Sequence, residues 1–131
     1  YKRQDVLCML VLSNFLIDGI ISFEKLKAWN TSDSEWQRRA VPVTLVELLK
    51  EGLEPKIALP LIEPLMLDNS EYVQKGIGTL LRGLWKQWPS EVEDFLFKWK
   101  DLCGRLIVRY ATEKMDKEYR KKFRALKKGK V

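Results

Sequence analysis

The feature that most constrains the fold of this chain is an internal repeat. The segment EWQRRAVPVTLVELL, residues 35–49, aligns with EYVQKGIGTLLRGLW, residues 71–85, at an offset of 36 residues. The alignment pairs apolar positions with apolar positions. It also pairs Arg39 with Lys75, which a bare hydrophobic pattern does not require. Repeats of about this length are typical of solenoids in which each unit is a pair of helices.

Apolar residues recur at helical spacing along almost the whole chain, and no stretch alternates between apolar and polar residues as a half-buried strand does. The pattern predicts helices over residues 4–15, 23–29, 34–51, 55–67, 70–88, 89–102, 105–115 and 116–128. Pro55 and Pro89 suit the first turns of their helices. Pro42, Pro60 and Pro64 should kink or interrupt the helices that contain them.

The predicted fold class is therefore all-α, a right-handed solenoid of HEAT-like antiparallel helical pairs. We expect one domain over residues 1–131, because 131 residues are enough for a single modest core. The longest apolar runs are too short or too interrupted to span a bilayer, so no membrane association is expected.

The net charge of +6 is unevenly distributed. From Arg105 onward there are eleven basic residues against three acidic ones, which leaves thirteen basic and fifteen acidic residues in the preceding part. A basic C-terminal helix is most often a solvated, fraying end. It also suits nucleic-acid phosphates, and charge by itself does not choose between these interpretations.

The chain contains no histidine, which excludes His-based triads, His-based acid–base chemistry and most zinc sites. We expect no metal and no other cofactor. The two cysteines, Cys8 and Cys103, lie in apolar helix-like stretches and are expected to be buried free thiols in a reducing, cytoplasmic environment.

One helix face carries the best candidate for a binding surface. Lys75, Thr79 and Arg82 are spaced by four and three residues, so they share a face of one helix. Because the repeat pairs Arg39 with Lys75, we expect both to line the same strip of the solenoid, which suits phosphates. The alternative is that each arginine pairs with a nearby acid such as Asp33, Glu35 or Glu71.

Two motifs carry a family resemblance. The segments WNTSDSEWQRRA, residues 29–40, and EYVQKGIGTLLRGLWKQWPSEVEDFL, residues 71–96, resemble the DNA alkylation repair glycosylases built of HEAT-like repeats (the AlkD/AlkC type). That family has Ser-Asp followed by Trp-x-Arg-Arg-Ala, then Gln-Lys-Ala-Ile-Gly-Trp-x-Leu-Arg, and near its end Arg-Tyr-Ala-x-Glu-Lys, which is similar to residues 109–114. The resemblance covers nearly all of this chain and corresponds to the later half of the family domain, whose first helices would precede Tyr1.

The resemblance implies an enzyme that binds double-stranded DNA and hydrolyses the N-glycosidic bond of N3- and N7-alkylated purines. In this family a carboxylate beside the lesion stabilises the positive charge that develops on the sugar, and basic residues of a concave groove hold the DNA backbone. An alkylated purine is already a good leaving group, so no histidine or metal is required. We expect a monomer whose substrate is nucleoid DNA.

Carried over by position, the catalytic carboxylate falls on Asp5, and Arg39 and Arg82 take the arginine positions that contact the backbone. Lys75 and Arg109 are weaker candidates for DNA binding. Two family tryptophans that pack on the deoxyribose fall on Tyr1 and Thr79. Tyrosine can still pack on a sugar, whereas threonine has neither comparable area nor a π face.

A second function, from another class, fits the same residues. A HEAT-like module that binds nucleic acid or protein without catalysis would keep the cationic strip and would not use Asp5. The substitution of Thr79 for a family tryptophan, and of Gly83 where the family commonly has an acid, favours this alternative.

Overall fold

The computed structural model describes residues 23–124, with side chains from Leu26 onward except that of Glu51. The predicted helix over residues 4–15 lies outside the described residues, as do Tyr1, Asp5 and Cys8. Within residues 23–124 the chain is all-helical, with six α-helices and no strand. No helix in this range is long and apolar enough to cross a membrane.

The α-helices agree with the predicted ones over most of the chain. They are α1, Phe23–Trp29; α2, Glu35–Leu48; α3, Pro55–Ile62; α4, Glu71–Gln87; α5, Pro89–Trp99; and α6, Arg105–Ala111. Three short 3-10 turns follow α2, α3 and α6, at Leu49–Glu51, Glu63–Leu65 and Tyr119–Phe123.

The two repeated helices begin in the same way. Ser34 caps α2 and Ser70 caps α4, and each hydroxyl accepts a hydrogen bond from a backbone N–H in the first turn of its helix. A capping serine satisfies a donor that would otherwise have no partner, and it is worth about 1 kcal/mol. The end of the first unit is marked by Gly52, whose φ of 87° is a left-handed conformation that favours glycine.

The prolines inside the predicted helices have unequal effects. Pro42 and Pro60 lie within α2 and α3, which remain continuous α-helices on either side of them. Pro64 lies in a 3-10 turn directly after α3, so the helix predicted to reach residue 67 ends at Ile62. The prediction of an interruption is thus confirmed at Pro64, whereas Pro42 and Pro60 do not interrupt their helices.

The prediction for the C-terminal part needs correction. The helix predicted over residues 105–115 ends at Ala111, and in place of an α-helix from residue 116 the described chain has turns and the 3-10 segment Tyr119–Phe123. The physical reason lies in the burial pattern. Met115 and Phe123 are 5% and 0% exposed, and the sequence between them offers the core little other apolar area, so this stretch folds to bury those two residues rather than a helix face.

The helices contact one another in two rows. The helices α2, α4 and α6 pack side by side in one row, while α3 lies beside both α1 and α5 in the other. In the first row α4 is central. The α2–α4 contact pairs Pro42 with Gly76 and Leu49 with Gly83, both 34 residues apart, so these helices run in the same direction.

The interface between α4 and α6 repeats this arrangement. Along it Gln74 lies against Gly104, Gly78 lies against Tyr110, and Arg82 pairs with Glu113, so α6 runs parallel to α4 as well. The separations of 30 to 32 residues are close to those between α2 and α4. Equivalent residues of successive units therefore lie next to one another along the row.

The core lies between the two rows. It includes large side chains that are at most 2% exposed, among them Leu26, Leu45, Ile62, Leu80, Leu96 and Ile107. Burying a side chain of this size contributes about 1.5–3 kcal/mol. At the edge of the core, Cys103 is a half-buried free thiol, and burial raises its pKa to about 11.

Candidate functional site

The central helix α4 divides its residues between the core and the solvent. Val73, Ile77, Leu80 and Leu84 are 0% exposed and form its core face. At helical spacing, the opposite face carries Lys75, Thr79 and Arg82, all of which are partly exposed. We call these three residues and Arg39 the cationic strip.

Lys75 is a member of the strip whose charge is not paired with a carboxylate of the described residues. Its side chain is partly exposed, and no carboxylate within residues 26–124 forms an ion pair with its ammonium group. An ammonium group with three donors on an open helix face is available to an anion from solution. Lys75 is therefore a suitable phosphate ligand on both position and charge.

Thr79 lies one turn after Lys75, and its hydroxyl is used by the helix itself. Its Oγ1 donates to the carbonyl of Lys75 at 2.9 Å, which is a common arrangement for threonine within a helix. The side chain leaves only a methyl group for other contacts. The strip is thus shallow at this point.

Arg82 has an acidic partner. Its Nη1 donates to the Glu113 carboxylate, which belongs to the segment after α6, and the two side chains are 25% and 54% exposed. Arg82 therefore pairs with an acid, as the alternative interpretation expects, although the partner lies 31 residues away and is none of Asp33, Glu35 and Glu71. The pair is accessible to water, and Arg82 has four further N–H donors, so a phosphate can compete for this guanidinium group.

Arg39 reaches the first turn of α4. Its guanidinium carbon lies 5.2 Å from the centre of the Tyr72 ring, within the range of a cation–π contact, and Tyr72 is 42% exposed. The repeat pairs Trp36 with Tyr72, so both units place an aromatic residue before the basic position. Arg39 and Lys75 therefore lie on neighbouring helices of one row, and Arg39 contacts the helix of Lys75 through Tyr72.

Arg38 has a structural role that the sequence analysis missed. Its Nε donates to Asp68 at 2.7 Å, and its Nη1 donates to the carbonyls of Ser32 and Asp33 at 2.9 and 3.2 Å. The Asp68 carboxylate in turn accepts a hydrogen bond from the backbone N–H of Ser70 at 2.9 Å. Arg38 thus joins the turns that precede α2 and α4.

The repeat contained a signal for this role. It pairs Arg38 with Gln74, whose amide donates to the carbonyl of Asp68 at 2.9 Å and lies against Gly104 at the start of α6. Both residues join a turn of one unit to a turn of the next. A polar residue at this position of each unit therefore indicates a contact between turns, and not part of the ligand surface.

Four of the residues predicted to bind DNA lie on one surface, and a fifth, Arg109, lies apart from them. Arg39, Lys75, Thr79 and Arg82 share the exposed side of α2 and α4. Arg109 is exposed on α6, and no hydrogen bond or ion pair of the described residues joins it to the strip. Within the described range no three His, Cys, Asp or Glu side chains come together as metal ligands.

Other polar side chains join the helices of the second row. Glu63 accepts hydrogen bonds from Lys98 Nζ at 2.9 Å and from Trp99 Nε1 at 3.2 Å, and the bond from Lys98 lowers the pKa of this carboxyl group. These residues line a shallow groove of about 410 Å³, which contains no residue of the cationic strip.

Most of the sequence matches a known protein family. The model of the family described as DNA alkylation repair enzyme matches residues 2–115. The matched range includes Asp5 and the whole cationic strip. No curated protein and no solved structure matches the chain.

Proposed function

The chain belongs to the DNA alkylation repair enzyme family, and on that premise we propose that it binds alkylated duplex DNA and hydrolyses the N-glycosidic bond of N3- and N7-alkylated purines. The observation that carries this proposal is the family match over residues 2–115, which covers most of the 131-residue chain. The partly exposed cations of α2 and α4 support it.

We propose in addition that the two rows of helices form a right-handed solenoid of HEAT-like antiparallel pairs in a single domain. The nearly constant register along α2, α4 and α6 supports this arrangement, because stacked repeats place equivalent residues side by side. A solenoid with this row on its inner side would present the cationic strip to one continuous surface.

In this proposal the strip holds the DNA backbone. Lys75 and Arg39 supply cations on adjacent helices, and Arg82 exchanges Glu113 for a phosphate oxygen when DNA binds. Arginine suits this exchange because its planar guanidinium group can donate two parallel hydrogen bonds to a phosphate. Arg109 is assigned a weaker contact at the edge of the surface.

The chemistry is assigned to Asp5. Departure of an alkylated purine leaves positive charge on the deoxyribose, and a carboxylate beside that charge stabilises the transition state. The same carboxylate can orient the water that attacks the sugar carbon and accept its proton. Tyr1 is assigned to packing on the sugar, and the small Thr79 leaves room where other members of the family have an indole ring.

The remaining features of the proposal follow from the substrate. We propose a monomer that acts in the cytoplasm on nucleoid DNA and uses no cofactor. Double-stranded DNA is its expected partner.

The decisive experiment measures release of 3-methyladenine and 7-methylguanine from alkylated duplex DNA. The full-length protein should release these bases, and Asp5→Asn should lose most of that activity while it binds the same DNA with unchanged affinity. Asp94→Asn is the matched control. Asp94 is an exposed aspartate on α5, and its substitution removes the same charge as Asp5→Asn does.

Two results would contradict the proposal. Absence of base release, together with salt-sensitive DNA binding, would establish the non-catalytic binding module instead. Equal release by the wild-type protein and Asp5→Asn would remove Asp5 from the mechanism.

A further inference from the structure

The segment that follows α6 concentrates positive charge beyond the end of the family match. Residues 114–124 contain six basic side chains and two acidic ones, Asp116 and Glu118. The basic residues are Lys114, Lys117, Arg120, Lys121, Lys122 and Arg124, and all six are exposed. We call this segment the basic platform; nine of its eleven residues follow residue 115, where the match ends.

The basic platform is anchored to the folded domain. Phe123 is 0% exposed and stacks on Phe97 of α5, with ring centres 4.6 Å apart. The hydroxyl of Tyr119 donates to Glu93 of α5, and Lys100 Nζ donates to the carbonyl of Arg124 at 3.4 Å. The described segment is therefore a fixed part of the surface and not a fraying helix end.

Most of the positive charge on the platform is not neutralised within it. Lys121 pairs with Glu118 at 3.2 Å, and Lys122 lies 4.3 Å from the centre of the Tyr119 ring. No ion pair of the described residues involves Lys117, Arg120 or Arg124. Holding like charges together on a fixed surface is unfavourable unless a polyanion binds to them.

The platform follows in the chain directly after Glu113, the residue that contacts the cationic strip. Glu113 pairs with Arg82 of the strip, and Arg120 follows Glu113 by seven residues. Seven residues span at most about 25 Å even when fully extended. Because B-DNA carries one negative charge per about 1.7 Å of its axis, a single duplex offers phosphates over that whole distance.

We propose that the basic platform is a second binding surface for the phosphate backbone of duplex DNA. It extends the contact beyond the strip, and Lys117, Arg120 and Arg124 supply its principal ligands. The inference rests on the proposed function only in the choice of duplex DNA as the polyanion. Phosphate contacts of this kind carry no base specificity, so the platform contributes affinity and not lesion recognition.

The test compares two triple variants of the full-length protein. In the platform variant Lys117→Gln, Arg120→Gln and Arg124→Gln are combined, which leaves the anchoring residues Tyr119 and Phe123 in place. The control variant combines Lys27→Gln, Lys56→Gln and Lys98→Gln, exposed lysines of α1, α3 and α5, and so removes the same charge elsewhere. Thermal unfolding of the platform variant should match that of the wild type, whereas the control variant should remain folded and lose only the stability contributed by the hydrogen bond from Lys98 to Glu63.

Binding of an unmodified, fluorescently labelled duplex is measured over a range of salt concentrations. Each phosphate contact contributes about 0.9 to the slope of log affinity against log salt concentration. We therefore expect the platform variant to lose about 2 to 3 from that slope and to bind at least about tenfold more weakly near 0.1 M salt. The control variant should retain the wild-type slope.

The outcomes separate this inference from the proposed function. Base release by the wild type, with equal slopes for the wild type and the platform variant, would overturn the inference and leave the proposed function standing. Weaker binding by the platform variant, without base release by the wild type, would support the inference and overturn the proposed catalysis. The inference would also be overturned if the wild type bound no duplex, or if the substitutions weakened binding only to vesicles containing about 30% phosphatidylserine.

Discussion

Arg38 and Arg39 are neighbours in the sequence, but their side chains have different partners. Arg38 is oriented towards the turns, where it bonds to Asp68 and to two carbonyl groups. Arg39 lies over Tyr72 on the exposed side of the row. One residue step rotates a helical side chain by about 100°, so adjacent arginines can serve the fold and the ligand surface separately.

We predict that Arg38→Gln destabilises the protein by about 1–3 kcal/mol. Loss of Arg38 leaves Asp68, whose side chain is 10% exposed, without its ion pair. Arg105→Gln, a change at an exposed arginine of α6, removes the same charge and should leave the stability nearly unchanged. Urea unfolding measures both changes, and equal stabilities of the two variants would contradict the structural role of Arg38.

At the scale of the helices, α4 can lie close to α6 because of Gly78. A Cβ atom at this position would lie 2.5 Å from Tyr110 Cβ and 2.9 Å from the carbonyl oxygen of Ile107. Since one of these neighbours is backbone, the contact cannot be relieved by rotation of a side chain. The spacing of the two helices therefore depends on the absence of a side chain at residue 78.

We predict that Gly78→Ala destabilises the protein by about 1–3 kcal/mol, because the helices must separate to admit the methyl group. Gly76→Ala is the matched control two residues earlier on the same helix. There the new Cβ would meet Pro42 Cγ at 3.1 Å, and the gain in helix propensity of about 1 kcal/mol offsets that closer contact. The melting temperature of Gly78→Ala should therefore be well below that of Gly76→Ala in thermal unfolding. The reverse order would contradict the packing of α4 against α6 at residue 78.

The contact between α3 and α5 gives a prediction for pH. The hydrogen bond from Lys98 lowers the pKa of Glu63 below its ordinary value of 4.5. Glu63 therefore contributes stability that is present above the unfolded-state pKa and is lost as the pH falls through the lower folded-state pKa. We expect the difference in stability between the wild type and Glu63→Gln to shrink as the pH falls from 6 through 4.5 and below, with Asp94→Asn as the control, and a constant difference would contradict the assignment.

At the scale of the whole molecule, the strip and the basic platform are two groups of basic side chains, and Glu113 links them: it pairs with Arg82 of the strip and directly precedes the platform in the chain. In the protein without DNA this acid holds Arg82. A phosphate must displace it if Arg82 is a DNA ligand. The carboxylate therefore opposes DNA binding in two ways, through occupation of Arg82 and through its own negative charge.

We predict that Glu113→Gln binds duplex DNA up to about fivefold more tightly than the wild type, since an exposed ion pair is worth about 0–1 kcal/mol. In combination with Arg82→Gln, most of that gain in affinity should disappear, because there is then no guanidinium group at residue 82 for which Glu113 and a phosphate compete. Glu91→Gln, a change at an exposed glutamate of α5, controls for the change in net charge. Gains of the same size in the Arg82→Gln background would show that Arg82 does not bind the phosphate.

The sequence alone determined the helical fold class and the family, because both depend on local patterns. Helical spacing of apolar residues predicts α2, α4 and α5, and the offset of 36 residues identifies Ser34 and Ser70 as equivalent caps. Capping and helix propensity act over a few residues, so helices and their caps can be predicted from the sequence without knowledge of the tertiary contacts.

Only the tertiary structure decided which charged side chains form ion pairs and how the chain folds after α6 within the described residues. The pairing of Arg38 with Asp68 spans 30 residues, and that of Arg82 with Glu113 spans 31. Within residues 116–124, where a helix was predicted, Phe123 is buried against α5 and the chain forms a short 3-10 segment. A side chain's partner depends on which helices become neighbours, and that is settled by packing of the whole core and not by local preference.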